Sequence, residues 1–466
     1  MNKLNLNTIL FVTLLFTAFI LKGQESITPP NFIFYLADDQ DQLDYGAYGN
    51  PKVHTPSVDQ LVKEGMKFTN FYTSQSICAP SRSQLFTGMY PVKNGCMANH
   101  LPVKKDLKTV IDYLEAKGYE VVLAGKSHVK PNSVFKWTHY FDSINHRYLP
   151  LEAIDSYLAK VKKPFCLFVT SDFPHGPYPK DGDYTKNDIY TLPYNGRYIP
   201  NYKPGYYQNI KDDNAQIEAV LGMVDSYGLR ENSIFIYASD HGISGKWGVS
   251  EQGLKIPFVV RWPGVVKPGS TSQTMLSLVD VLPTFLDISG SDIDTTIDGK
   301  SFYKTLQGDE SNVNDYIFSL ATKQNIQACK VFPTRAVRGK RYKFIRNYNA
   351  LEVHESNFGE NSVINSFIKI GAESFPMVPY EELYDLENDP YQKINLIKNS
   401  KFDAVKSQLS EVLYTWMVSQ DDFLISNQMP LIKPTLHPLD RNSKWNKVSE
   451  ENLKGLKSND YMKSHY

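Results

Sequence analysis

Short clusters of titratable side chains punctuate the chain, each following an apolar run. Asp38-Asp39 closes the run Asn31–Ala37, and Asp240-His241 closes a second one at 233–240. Carboxylates are hard oxygen donors that suit calcium or magnesium better than zinc or copper, although paired acids also commonly cap a turn. Lys126 and His128 follow the run 119–125, His175 sits in a Pro-His-Gly-Pro loop after the run 164–170, and Lys246 follows Gly245. Ammonium and imidazole groups of this kind can offset an anion's charge and move protons. Cys78 opens the stretch Cys-Ala-Pro-Ser-Arg. A cysteine taken alone is most often a small buried hydrophobe.

The elements that must hold these residues follow from the periodicity. Runs at 31–37, 119–125, 164–170 and 233–240 are nearly continuous apolar strands, the pattern of strands buried on both faces. Helical patterns at Thr55–Glu64, Leu107–Lys117 and Ala215–Tyr227 alternate with them. The pattern predicts an α/β fold with a large, mostly parallel central sheet flanked by helices. Ligands gather at the carboxyl ends of such strands, where these polar clusters stand. Near residue 330 the pattern changes to the alternation of antiparallel strands (334–347), followed by a turn at 385–390 and a helix from about Asp403 to Trp416. The expected organisation is a catalytic domain over 24–330, a smaller C-terminal α+β domain with an antiparallel sheet over 331–430, and a tail over 431–466.

Residues 1–23 carry Lys3 and an apolar run from Ile9 to Leu21, the shape of a secretory signal peptide. The run is too short for a membrane span, and no cysteine follows it closely enough to accept a lipid. An exported protein, periplasmic or secreted and without a stable membrane anchor, is expected. Lys+Arg and Asp+Glu are equal at 50 each, so overall charge favours neither nucleic acid nor an anionic membrane as partner. The four cysteines are too few for a disulfide scaffold; one bridge could form, its pairing left open.

The stretch from Cys78 to Gly88 (Cys-Ala-Pro-Ser-Arg, then Ser-Gln-Leu-Phe-Thr-Gly) resembles the signature of the formylglycine-dependent sulfatases, a family with an alkaline-phosphatase-like fold. Gly125-Lys126-Ser127-His128, Pro174-His175-Gly176-Pro177, Gly245-Lys246 with Glu251, and Glu382–Pro390 resemble its later landmarks. The resemblance implies that Cys78 is oxidised to formylglycine by a formylglycine-generating or anaerobic sulfatase-maturating enzyme. One hydroxyl of the hydrated aldehyde would attack sulfur, and the other would later lose its proton to release sulfate. It implies one calcium ion per chain, held by Asp38, Asp39, Asp240, His241 and the modified Cys78. Arg82 would lie near the diol and metal, Lys126 and Lys246 would clamp sulfate, His128 would take the proton that releases it, and His175 would be the general acid.

The stretches around Gly125–Pro131, 333–347 and 414–422 resemble the sulfamidase (N-sulfoglucosamine sulfohydrolase) branch and bacterial enzymes that strip sulfate esters from algal polysaccharides such as ulvan. A sulfated saccharide, O- or N-sulfated, is the substrate so implied. The 30 Tyr and 25 Phe suit sugar stacking as well as core filling. His100 and Arg335 are candidate substrate contacts, although a strand arginine can also simply edge its sheet. Two rivals remain: a formylglycine-dependent phosphodiester or phosphonate hydrolase, and a non-catalytic glycan-binding protein that kept the fold.

Overall fold

The computed structural model describes residues 29–191, 199–325, 330–356, 362–426, 429–432, 451 and 454–461. The expected signal peptide, Cys329 and most of the tail lie outside the described residues. The strands are β1 (Asn31–Asp38), β2 (Met66–Phe68), β3 (Phe71–Tyr72), β4 (Glu120–Gly125), β5 (His139–Phe141), β6 (Phe165–Pro174) and β7 (Ser233–Ser239). They continue with β8 (Phe258–Arg261), β9 (Ser270–Ser272), β10 (Leu276–Ser277), β11 (Ile317–Asn325), β12 (Lys330–Arg338), β13 (Tyr342–Asn347) and β14 (Glu381–Asp385).

The central sheet has eight strands in the order β5-β4-β6-β1-β7-β8-β2-β9. Its first five strands are mutually parallel, and β8 runs against both β7 and β2. All eight residues of β1 are buried. Because side chains alternate across a strand, Phe32, Phe34 and Leu36 enter one core with Leu85 and Phe86. Ile33, Tyr35 and Ala37 enter the opposite core with Ile217, Val220 and Val224 of the helix Lys203–Ser226. A strand apolar on both faces needs a helical layer on each side, and this one has both. Truncating Phe34 to alanine would cost about 3–5 kcal/mol, the usual range for a fully buried aromatic.

Register decides which strand ends meet. Ala37 of β1 pairs with Ser239 of β7, Leu36 with Thr170 of β6, and Gly125 of β4 with the same Thr170. Asp38-Asp39, Lys126, Asp172 and Asp240 are therefore neighbours at one carboxyl edge.

A separate antiparallel sheet, β11-β12-β13-β14, packs Val337, Phe344 and Leu383 against Leu409, Leu413 and Trp416 of the helix Asp403–Ser419. It begins at Ile317, ahead of the change in pattern near 330. The apolar start of β11 looks like a strand of the first sheet, but the strand pairs along its whole length with β12, from Ile317↔Arg338 to Asn325↔Lys330. The same core takes in Tyr90, Val92 and Met97 from the first part of the chain, so the second sheet packs against segments that follow the helix Cys78–Thr87.

Candidate active site

Cys78 is the first residue of a ten-residue helix, Cys78–Thr87, in which every side chain is buried. A helix start carries unpaired N–H groups and partial positive charge, which favours an anion beside it. The rest of the Cys-Ala-Pro-Ser-Arg stretch ties this helix to the strand ends. Ser81 Oγ donates to the Asp240 carbonyl at 2.5 Å. Arg82 Nε donates to Asp240 Oδ2 at 3.2 Å, its NH1 to the Lys126 carbonyl at 2.9 Å, and its NH2 lies 3.7 Å from Asp38 Oδ1.

Around Cys78 stand the acids. Its Sγ is 3.3 Å from His241 Nε2, which is 3.2 Å from Asp39 Oδ1. One donor atom each from Asp38, Asp39, Cys78 and His241 falls within a 4.8 Å span, and all four residues are buried. Asp240 stays outside that group of four. Its Oδ1 accepts the N–H groups of Asp39 and His241, while its Oδ2 is taken by Arg82. Asp38 Oδ1 is buried with no hydrogen-bond partner. Two hard carboxylates, one orphaned oxygen and an adjacent imidazole are a donor set that fits a hard divalent cation.

Two ammonium groups reach the same carboxylates. Lys126 contacts Asp38 Oδ2 and lies 3.9 Å from Asp172 Oδ1, and Lys246 Nζ is 2.8 Å from both oxygens of Asp39. Burial raises the Asp38 carboxyl, but Lys126 and Arg82 outweigh it and hold the group well below the usual carboxylate range. Burial, then the Asp38 charge, pushes the Cys78 thiol well above its ordinary value. As a thiol it is a poor nucleophile, since the thiolate is the reactive form.

His128 Nε2 lies 3.1 Å from His100 Nδ1, and His128 Nδ1 is buried without a partner. Burial, then Lys126 and Arg82, drives His128 well below its usual value, so the ring is neutral near pH 7 and can accept a proton. Gly125, just before Lys126, has φ 107°, and a Cβ there would sit 2.1 Å from the Thr170 carbonyl oxygen. Only glycine lets β4 turn its Lys-Ser-His segment into the site. Asp39, His100, His128 and Trp247 also have positive φ. Such non-glycine residues are uncommon and concentrate at functional sites.

His175 lies 3.5 Å from Asp39 Oδ2, and its Nδ1 donates to the Gly176 carbonyl at 2.8 Å. Its loop is clamped from behind. Arg147 NH1 donates to the carbonyls of His175 and Gly176, and Asn209 Nδ2 donates to those of Pro174, His175 and Pro177.

The expected residues Asp38, Asp39, Cys78, Arg82, Lys126, His128, His175, Asp240, His241, Lys246 and His100 thus adjoin one centre. Arg335 does not. It is fully buried in the second sheet's layer, where Nε and NH2 fork onto Asp422, and it cannot meet a sugar. Its register position on β12 turns the guanidinium inward, and a carboxylate distant in sequence neutralises it. Asn99, Arg147, Asp172 and Asn209 are additions. Asn99 Oδ1 accepts the Ala79 N–H at 3.3 Å, and its Nδ2 lies 3.2 Å from His100 Nε2. Asp172 was signalled by its place at the end of an apolar run; Arg147 and Asn209 lie within no motif.

Comparison with known proteins agrees with this arrangement. The sulfatase family model matches residues 30–291, and that of the N-sulphoglucosamine sulphohydrolase C-terminal region matches residues 239–358. An ulvan-active sulfatase of Formosa agariphila is 47% identical over 449 residues, covering 93% of this chain and 90% of that protein. A protein solved with its substrate D-glucosamine-2-N,6-O-disulfate shares the fold at a TM-score of 0.67 and 19% identity, over 85% of this chain and 99% of that one. The phosphonate monoester hydrolase of Agrobacterium radiobacter does so at a TM-score of 0.68 and 17% identity, over 84% and 96%. The chain belongs to the sulfatase family and is a sulfuric ester hydrolase.

Proposed function

We propose that this enzyme removes sulfate from a sulfated saccharide, with formylglycine derived from Cys78 as nucleophile and one calcium ion as cofactor. The observation that carries the reading is the convergence on Cys78 of Asp38, Asp39 and His241 within one 4.8 Å span. Asp38, Asp39 and His241, with Asp240 behind them, would hold the ion, which when bound polarises a sulfate oxygen and eases ionisation of the attacking hydroxyl. Oxidised and hydrated, position 78 supplies one hydroxyl to attack sulfur and a second whose later deprotonation frees sulfate. A maturating enzyme of either formylglycine-forming type is the partner this requires.

The chain's own residues do the rest. Lys126 and Lys246 offset the sulfate charge in a setting where most of their own hydration is already stripped away. Arg82 locks the helix start against Asp240, so the nucleophile is held before substrate arrives. His175, half-exposed beside Asp39, donates a proton to the departing sugar oxygen, and neutral His128 takes the proton whose loss releases sulfate. His100, packed on His128, adjoins the sugar. The substrate lies outside the cytoplasm, in line with the export signal expected at 1–23. Among the described residues, no helix is long and apolar enough to cross a membrane.

An O-sulfated algal polysaccharide of the ulvan type is the first substrate to test, because the ulvan-active relative matches nearly the whole chain. The match of residues 239–358 to the sulphoglucosamine sulphohydrolase C-terminal model supports a second reading, removal of N-sulfate from glucosamine. Sulfate release by protein co-expressed with a formylglycine-generating enzyme, from ulvan oligomers, heparan oligomers and N-sulfoglucosamine, separates them. Silence on all three would contradict the saccharide reading and turn attention to phosphate diesters and phosphonates.

A further inference from the structure

The residue after Lys246 is a tryptophan that the fold keeps in the open. Trp247 is 43% exposed, and its φ is 75°, a conformation that a bulky side chain holds only when its surroundings impose it. Here the constraint is backbone: the Trp247 N–H donates to the Ser76 carbonyl at 3.0 Å, and the Gly248 N–H donates to that of Gly245. The backbone at Trp247 is thereby tied to Ser76, two residues ahead of Cys78.

A cation from the other sheet meets it. Lys323 of β11 sets its ammonium 5.3 Å from the Trp247 ring centroid and 5.7 Å from that of Phe332. Among the described residues no carboxylate pairs with this ammonium. Burial and then nearby Lys330 lower its pKa, as expected of a partly desolvated cation lacking a counter-charge. Between the two elements lies a notch of only about 10 Å³, lined by Ser76, Ile77, Asn99, Trp247, Thr322 and Lys323, so a sugar would rest on the exposed part of the indole rather than within the notch. Ile77 directly precedes Cys78, and Asn99 touches His100, which touches His128. The indole and the ammonium therefore stand beside the candidate active site.

An indole face packs on the C–H face of a sugar ring, and an ammonium held on aromatic rings with no carboxylate beside it can still take an anion. We infer that Trp247 and Lys323 form a subsite for an anionic sugar adjoining the sulfated one, so that the enzyme selects an oligosaccharide bearing a second negative charge. The ring lies on Trp247, and its carboxylate or second sulfate meets Lys323. The assignment rests on the sulfatase reading for where the reacting sulfate lies.

The test compares matured wild type, Trp247→Ala and Lys323→Met on ulvan and heparan tetrasaccharides, their carboxyl-reduced forms, and 4-nitrophenyl sulfate. Either substitution should lower the ratio of kcat/KM for the preferred tetrasaccharide to that for the aryl sulfate by about ten-fold, mostly through KM. A Lys323→Met effect that disappears on carboxyl reduction assigns the anion as a uronate; one that persists assigns it as a second sulfate. A ratio unchanged by both substitutions overturns the subsite. Calorimetric binding of the same tetrasaccharides to Cys78→Ala protein separates this inference from the sulfatase reading. Binding weakened by Trp247→Ala and Lys323→Met upholds the subsite even if no sulfate is ever released, whereas binding that is absent, or indifferent to both, overturns it.

Discussion

His241 Nε2 lies 3.3 Å from the sulfur of Cys78 and 3.2 Å from Asp39 Oδ1, so one buried imidazole spans the candidate nucleophile and a carboxylate of the candidate metal group. An amide oxygen suits calcium better than an imidazole nitrogen. His241→Asn should therefore keep or tighten calcium binding, and Asp39→Asn should weaken it by roughly ten-fold or more, as is usual when a charged oxygen ligand is lost. Calcium titration calorimetry reads both; equal effects from the two substitutions would contradict the assignment.

His175 is the candidate proton donor to the leaving oxygen, held by Arg147 and Asn209 through its loop carbonyls. His175→Ala should cost on the order of 100-fold in kcat/KM on a saccharide sulfate, whose alkoxide leaves poorly. The loss should be much smaller on 4-nitrophenyl sulfate, which needs no acid. Initial rates on both substrates measure it, and equal losses would count against the role.

Arg335 and Asp422 form a fully buried, two-pronged ion pair. Arg335→Met would strand the Asp422 charge in the core at a cost of about 3–5 kcal/mol. Urea unfolding monitored by circular dichroism should register that loss. A variant as stable as wild type would show the pair to be dispensable.

Asp213 accepts the hydroxyls of Tyr35 and Ser171, its other oxygen is buried and unpaired, and burial raises its carboxyl from the ordinary 3.8 to about 7. Between those values the folded protein holds a proton that the unfolded chain has released, so stability falls as pH rises from about 4 towards 7. Asp213→Asn removes that dependence. Relative to wild type it should gain about 4 kcal/mol between pH 4 and pH 8, an order-of-magnitude figure from the shift. Unfolding curves at the two pH values test it; parallel behaviour of the two proteins would contradict it.

The strand ends were legible because β1, β4, β6 and β7 are buried on both faces, so their apolar runs stop where the chain meets polar neighbours at Asp38, Lys126, Asp172 and Asp240. The helix Lys203–Ser226 starts twelve residues before the expected Ala215, because its first half buries Tyr206, Tyr207 and Asn209 among polar residues and shows no clean apolar stripe. Pro204 near its start was the available signal. Arg335 misled because a strand cation ordinarily faces water, and its partner Asp422 is 87 residues away. The positive φ of Asp39 and His128 has no signature in side chains that are not glycine.

If turnover passes through a formylglycine made from Cys78, the substitution Cys78→Ser abolishes it. Wild type and variant, both co-expressed with a formylglycine-generating enzyme, would be compared for sulfate released per mole of protein, with peptide mass spectrometry reading residue 78. Formylglycine and many turnovers are expected in wild type, and at most one sulfate per molecule in the variant, since a serine can attack sulfur but has no second hydroxyl to expel the sulfate. Cys78→Ser protein turning over at the wild-type rate would contradict the formylglycine route.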